Sequence, residues 1–199
     1  QLEKFTNLKE NTGIPVVCFA ARLLVDKGVF DFISAARLLK KRGVKAKFLL
    51  AGDLDIQNPT GLDNNDLKKI KNEGFVEFLG YQKDIPKLYA SSHIICLPSY
   101  REGLPKSLME AAAARRAVVT TDVPGCRDAI IPNKTGLLVP VRNIEALANA
   151  IQDLIVNSKK RQIMAKAGRK LAEKNFVIKN IVDAHLDIYE NLYRNLIKP

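Results

Sequence analysis

Residues 94–121 read IICLPSYREGLPKSLMEAAAARRAVVTT. The apolar run Ile94–Leu97 is too short for a helix and stops at Pro98. A polar stretch with Gly103 and Pro105 follows. Lys106–Ala114 then places apolar residues at helical spacing, and Ala117–Thr121 returns to a short run rich in β-branched residues. Strand, helix and strand in so few residues make a βαβ unit, whose two strands must run parallel. The runs are apolar throughout rather than alternating, as expected when helices cover both faces of a sheet.

Outward from this unit the alternation continues. Val16–Ala20, Lys47–Ala51 and Val76–Leu79 are expected strands upstream, and Leu137–Val139 is one downstream. Val29–Arg42, stopped by Gly43, Asn65–Asn72 and Ile85–Ala90 are expected helices between them. The fold class that follows is α/β, a doubly wound parallel sheet over about residues 14–140. Beyond Pro140 the pattern is helical only. Ile144–Asn157, Arg161–Asn175 and Lys179–Leu196 form an expected helical tail over about 143–199.

The composition is that of an ordinary globular chain: 199 residues, 47% hydrophobic and 27% charged, enough for one domain with a core. No apolar run reaches the roughly 18–20 residues of a membrane span, and no signal-peptide pattern opens the sequence. Gln1 in place of Met suggests a chain cut from a longer one. Cys18, Cys96 and Cys126 have no metal or disulfide spacing, so a reducing, cytoplasmic setting is expected. His93 precedes a strand and reads as a loop or edge residue. The net charge of +11 points to an anionic partner. The basic residues are dispersed, though, and no aromatics are interleaved with them as in a nucleic-acid patch.

Ligands of open parallel sheets bind beyond the carboxyl ends of the strands. Arg22 and Lys27 follow the first strand. Two cations just before a helix suit a diphosphate, although ordinary loop charges would look the same. After the fourth strand, Gly103 lets the loop approach a ligand, and Pro105 stands where a helix starts with free amides. Glu102 and Glu110, one on the loop and one a turn into the helix, could accept hydrogen bonds from sugar hydroxyls. They could equally be a dipole-favoured acid and a solvated one. Asp122–Asp128 forms a polar, glycine-containing turn on the same side. Tyr81, after the third strand, could lie beside a base or on the surface.

The spacing Glu102-x7-Glu110, the Arg22…Lys27-Gly28 loop and Gly136–Pro140 together resemble the retaining family-4 glycosyltransferases of the GT-B fold, from about Val16 to Ile155. The resemblance implies one of two Rossmann-like domains, the C-terminal one that holds a nucleotide sugar. The acceptor-binding N-terminal domain would be absent from this chain. Arg22 and Lys27 would bind and stabilise the departing diphosphate, and Glu102 would contact the donor sugar. The backbone of Gly103, Leu104 and Pro105, with Ser107 beyond, would face sugar and phosphates, while Glu110 would hold the ribose. The implied reaction retains anomeric configuration and needs no metal or bound cofactor. The donor is expected to be UDP-linked and the acceptor a glycan or a lipid-linked one, which would bring the full-length enzyme to the inner face of the cytoplasmic membrane. This chain alone is expected to bind donor but turn over poorly. The details look closest to bacterial capsule, O-antigen and lipid-linked glycan enzymes. In two departures, Arg115 and Ala117 stand where the family often has Gly and Pro.

Two rival readings stay open on sequence. Asp53-Leu54-Asp55 could bind a divalent cation in a metal-dependent transferase. Alternatively the basic chain could be a non-enzymatic module for nucleic acid or anionic lipid, against which two acids in the crevice argue.

Overall fold

The computed structural model describes residues 2–6 and 9–196. Six strands, β1 (Val16–Ala20), β2 (Lys47–Ala51), β3 (Glu77–Gly80), β4 (Ile94–Leu97), β5 (Ala117–Thr121) and β6 (Gly136–Val139), form one sheet in the order β3-β2-β1-β4-β5-β6. Every neighbouring pair is parallel. Successive strands run outward from β1 to β3, and the chain then crosses back to place β4 beside β1. The loops leaving β1 and β4 therefore diverge to opposite faces and open a crevice between them.

The crossovers are α1 (Val29–Lys41), α2 (Asn64–Glu73), α3 (Ile85–Ala90), α4 (Lys106–Ala113) and α5 (Pro124–Ala129), followed by α6 (Ile144–Val156), α7 (Ser158–Asn175) and α8 (Ile178–Leu196). Strand residues such as Val17, Phe19, Ile94 and Val119 are fully buried, each contributing roughly 1.5–3 kcal/mol of hydrophobic stabilisation. Phe32 of α1 packs its ring between Phe19 and Phe48, at 5.6 and 6.0 Å. Asp63 opens α2 with a capping box, accepting from the amides of Asn65 and Asp66.

The strand predictions hold within a residue; β3 starts and ends one residue late, and its pairing with β2 is irregular between Phe78 and Gly80. Two readings are corrected. The turn after β5 contains a six-residue helix, α5, which supplies the crossover that parallel strands β5 and β6 require. The expected C-terminal helices are present as α6, α7 and α8; α6 packs on α1, and α7 packs on α4 and β5. In α8, Val182, Leu186, Tyr189 and Tyr193 are exposed; the end of the expected tail, 197–199, lies outside the described residues. His93 is buried rather than at an edge. Its Nδ1 accepts from the amide of Val16 at 3.0 Å, and its Nε2, which must then carry the proton, donates to Asn11 O at 3.0 Å.

His93 is one of three buried groups that bind the segment preceding β1. Arg161 forms a two-nitrogen pair with Glu10, at 2.7 and 3.0 Å. Arg116, only 1% exposed, donates to Lys9 O, Tyr89 O, Ala90 O, Ala114 O and Arg115 O. A guanidinium without water needs all its N–H groups occupied, and these carbonyls occupy them.

Candidate functional site

The loop after β1 is welded to the loop after β2 by backbone bonds: Leu23 N to Asp53 O at 3.0 Å, Val25 N to Thr60 O at 2.7 Å and Leu62 N to Leu23 O at 3.0 Å. It then turns at Gly28, whose φ of 73° and position against Pro98 leave no room for a side chain. A Cβ there would sit 2.0 Å from Pro98 O. This contact presses the first loop onto the β4–α4 loop. Tyr100 N and Ser99 Oγ both donate to Asp26 O, at 2.8 and 2.9 Å, and Thr121 Oγ1 donates to Ser99 O. From the other side, the start of α5 backs the loop. A Cβ on Gly125 would fall 1.7 Å from Gly103 O. The β4–α4 loop is thus positioned by three neighbours.

Helix α4 starts at Pro105 with no side-chain cap. Leu108 N turns back to Pro105 O, which leaves the first-turn amides of Lys106 and Ser107 for a ligand. They face a cavity of about 550 Å³ at the carboxyl ends of β1 and β2. Ala20, Ala21 and Ala51 keep it open, Ile85 and Tyr89 form an apolar wall, and Arg22, Ser107 and Glu110 bring polar groups to it. A larger groove of about 790 Å³ lies between Asn133 and Ile163. No residue at the carboxyl end of a strand lines it and it carries no acid, so the smaller cavity is the better candidate.

Of the residues expected at the site, Arg22, Tyr81, Ser107 and Glu110 line this cavity. Tyr81 is at its rim, 67% exposed. Lys27, Glu102, Gly103, Leu104 and Pro105 do not line it; Gly103 and Leu104 are exposed on the loop, and Pro105 is buried beneath it. Lys27 Nζ meets Glu102 Oε1 at 2.7 Å, largely out of water. Arg22 Nη1 meets Asp55 Oδ2 at 2.8 Å, and Lys106 Nζ meets Glu110 at 3.4 Å. The site is therefore charge-balanced, each of these cations facing one carboxylate. Burial pushes the Glu110 carboxyl above its ordinary value, against the pull of Lys106, and burial likewise raises the Tyr89 hydroxyl.

Sequence reading named Asp55 only as a candidate metal ligand and missed its pairing with Arg22, as it missed Lys106 and the Ile85–Tyr89 wall. Lys106 was legible, since it precedes Glu110 by one helical turn. Asp55 was not, because its partner is 33 residues away. In the Asp53-Leu54-Asp55 triplet, Asp53 accepts from Leu54 N at 3.0 Å while Asp55 is taken by Arg22. Among the described residues no group of three His, Cys, Asp or Glu is placed to hold a metal ion. No described helix is long and apolar enough to cross a membrane.

Residues 1–171 match the family described as glycosyl transferases group 1. The chain is 35% identical over 185 residues to the N,N'-diacetylbacillosaminyl-diphospho-undecaprenol alpha-1,3-N-acetylgalactosaminyltransferase of Campylobacter jejuni, covering 92% of this chain and 46% of that protein. Its fold superposes on sucrose-phosphate synthase from Thermosynechococcus elongatus with a TM-score of 0.81 at 26% identity, covering 97% of this chain and 49% of that one. It also superposes on Anabaena HepE in complex with UDP, with a TM-score of 0.80 at 22% identity, covering 89% and 49%. The chain spans about half the length of the proteins it matches.

Proposed function

This chain belongs to the glycosyl transferases group 1 family, and from that premise we propose that it is the donor-binding half of a retaining glycosyltransferase that uses a UDP-linked sugar. One observation carries the reading: Arg22, Glu110 and the uncapped start of α4 converge on a single cavity beyond the ends of β1 and β2. A nucleoside diphosphate has the matching parts. Its phosphates suit the guanidinium and the free amides, and its ribose hydroxyls suit an ionised carboxylate. The UDP held by HepE supports the choice of nucleotide.

In this reading Arg22 and Lys27 stabilise the negative charge that grows on the departing diphosphate, which would be the main catalytic contribution of this half. Lys27 reaches it by exchanging Glu102 for phosphate, and Glu102 is then free for the donor sugar hydroxyls. The amides of Gly103 and Leu104 face the same sugar; Pro105 has no N–H and serves as a rigid start to α4. Tyr81 borders the base. The acceptor would be held by an N-terminal domain outside this chain. Bringing the reactants together is worth roughly 7–11 kcal/mol, so this half binds donor and turns it over poorly. The diphospho-undecaprenol acceptor in the name of the Campylobacter relative supports a lipid-linked acceptor. It also supports a place for the whole enzyme at the cytoplasmic face of the membrane, where the three buried free cysteines would stay reduced.

The pH dependence of binding tests the role of Glu110. Burial holds its carboxyl above the ordinary glutamate value, and the ionised form accepts hydroxyl hydrogen bonds through both oxygens and more strongly than the acid does. UDP-glucose, whose diphosphate does not titrate in this range, should bind progressively more weakly as pH falls through that raised value. Glu110→Gln should bind weakly and without this slope. The same slope in Glu110→Gln would remove Glu110 from the site.

A further inference from the structure

The Asp53-Leu54-Asp55 triplet has no part in the donor reading, yet the fold places Asp55 with care. The backbone of its loop is bridged to the β1–α1 loop at Leu23–Leu54 and Leu24–Gly61. Asn58 N donates to Asp55 O at 3.0 Å, and Gly61 lies so close that a Cβ there would be 2.2 Å from the same oxygen. These contacts fix the carboxylate beside Arg22, 2.8 Å from Nη1. The pair stands at the mouth of the cavity in contact with water, the two side chains 62% and 29% exposed.

We propose that Asp55 is the counter-ion of Arg22, holding its guanidinium at the cavity and competing with an incoming diphosphate for it. This rests on the reading of Arg22 as a diphosphate ligand. Glu102 gains substrate hydroxyls when it releases Lys27, but Asp55 has no such compensation. Once the phosphates arrive, it remains a fixed negative charge next to them. An exposed ion pair is weak enough to be exchanged for a ligand of higher charge. The carboxylate therefore lowers donor affinity without blocking the site, and it keeps Arg22 extended toward the cavity rather than folded onto the surface. The triplet then acts through electrostatics and not through a metal.

The test is calorimetric titration of the 199-residue chain with UDP, and with uridine as the phosphate-free control, in EDTA at low and moderate salt. The variants are Asp55→Asn, Asp55→Ala, Arg22→Ala and Arg22→Ala/Asp55→Asn. Both Asp55 variants are expected to bind UDP about three- to tenfold more tightly at low salt, the size of one unit charge a few ångströms away in a largely aqueous setting. The gain should shrink with salt, be absent for uridine and be clearly smaller in the Arg22→Ala background, where only direct repulsion of the phosphates is left to relieve. Unchanged or weaker UDP binding in both Asp55 variants, with wild-type binding intact, would overturn the proposal. So would a gain as large without Arg22 as with it. Replacing EDTA by Mn2+ supplies one more arm: a metal-dependent tightening that Asp55→Asn abolishes would make Asp55 a ligand and overturn the counter-ion role. Failure of every variant to bind UDP would sink the donor reading and this proposal together.

Discussion

At the scale of the residue, Arg115 shows what a departure from a family pattern costs. It has a φ of 55°, in the left-handed region, where a residue with a Cβ loses roughly 1–2 kcal/mol. A glycine would adopt the conformation freely but adds about 0.5–1 kcal/mol of unfolded-state entropy. Arg115→Gly should therefore raise stability by about 0.5–1 kcal/mol, a gain of roughly 1–4 °C in Tm, because its side chain makes no hydrogen bond or ion pair among the described residues. A thermal melt that shows a lower Tm would contradict this. The sequence marks the position as unusual through the resemblance alone; the reason is a backbone angle that no residue pattern reveals. The Glu102-x7-Glu110 spacing could be read because both lie within one loop–helix segment, although only Glu110 lines the cavity. The pairings of Asp55, Arg116 and Arg161 could not be, because their partners are brought in from distant parts of the chain.

At the scale of the element, short apolar runs made the strands legible to within a residue. Helix α5 was hidden because Pro124-Gly125 at its start has the composition of a turn. That start matters for the site, since Gly125 lies against Gly103 O. Gly125→Ala should push the Glu102–Gly103 backbone outward and weaken UDP binding about tenfold or more, with the sheet intact by circular dichroism. Unaltered affinity would mean that α5 does not position the loop. The segment before β1 is held in a different way, by Arg161, Arg116 and His93. The Glu10 carboxyl is raised by burial, but the hydrogen bonds and charge of Arg161 outweigh this and leave it below 4.5. Its contribution to stability is thus complete above about pH 4.5 and lost as pH falls through the lowered folded value. Burial likewise lowers His93 below 6.5, against the Asn11 hydrogen bond and the charge of Glu10, so its neutral form is favoured by folding. Its contribution is present above the unfolded value and is also lost on acidification. Glu10→Gln should lower the unfolding free energy at pH 7 by about 2–3 kcal/mol and flatten the acid limb of urea midpoints measured from pH 7 down to 4. An unchanged midpoint would show that the strap is dispensable.

At the scale of the whole molecule, the net charge of +11 proves a poor guide to the site. Arg22, Lys27 and Lys106 each face an acid, so the crevice itself is nearly neutral until a ligand enters. The order β3-β2-β1-β4-β5-β6 puts the crevice at the reversal beside β1, which makes the fold and the place of the site one prediction rather than two. Calorimetric titration with UDP, in EDTA, tests the donor-site account most directly. We expect a dissociation constant between roughly millimolar and micromolar, about −4 to −8 kcal/mol, weakened at least several-fold by either Arg22→Ala or Glu110→Ala. Binding that ignores both substitutions, or a chain that binds none of UDP, GDP and ADP, would contradict it.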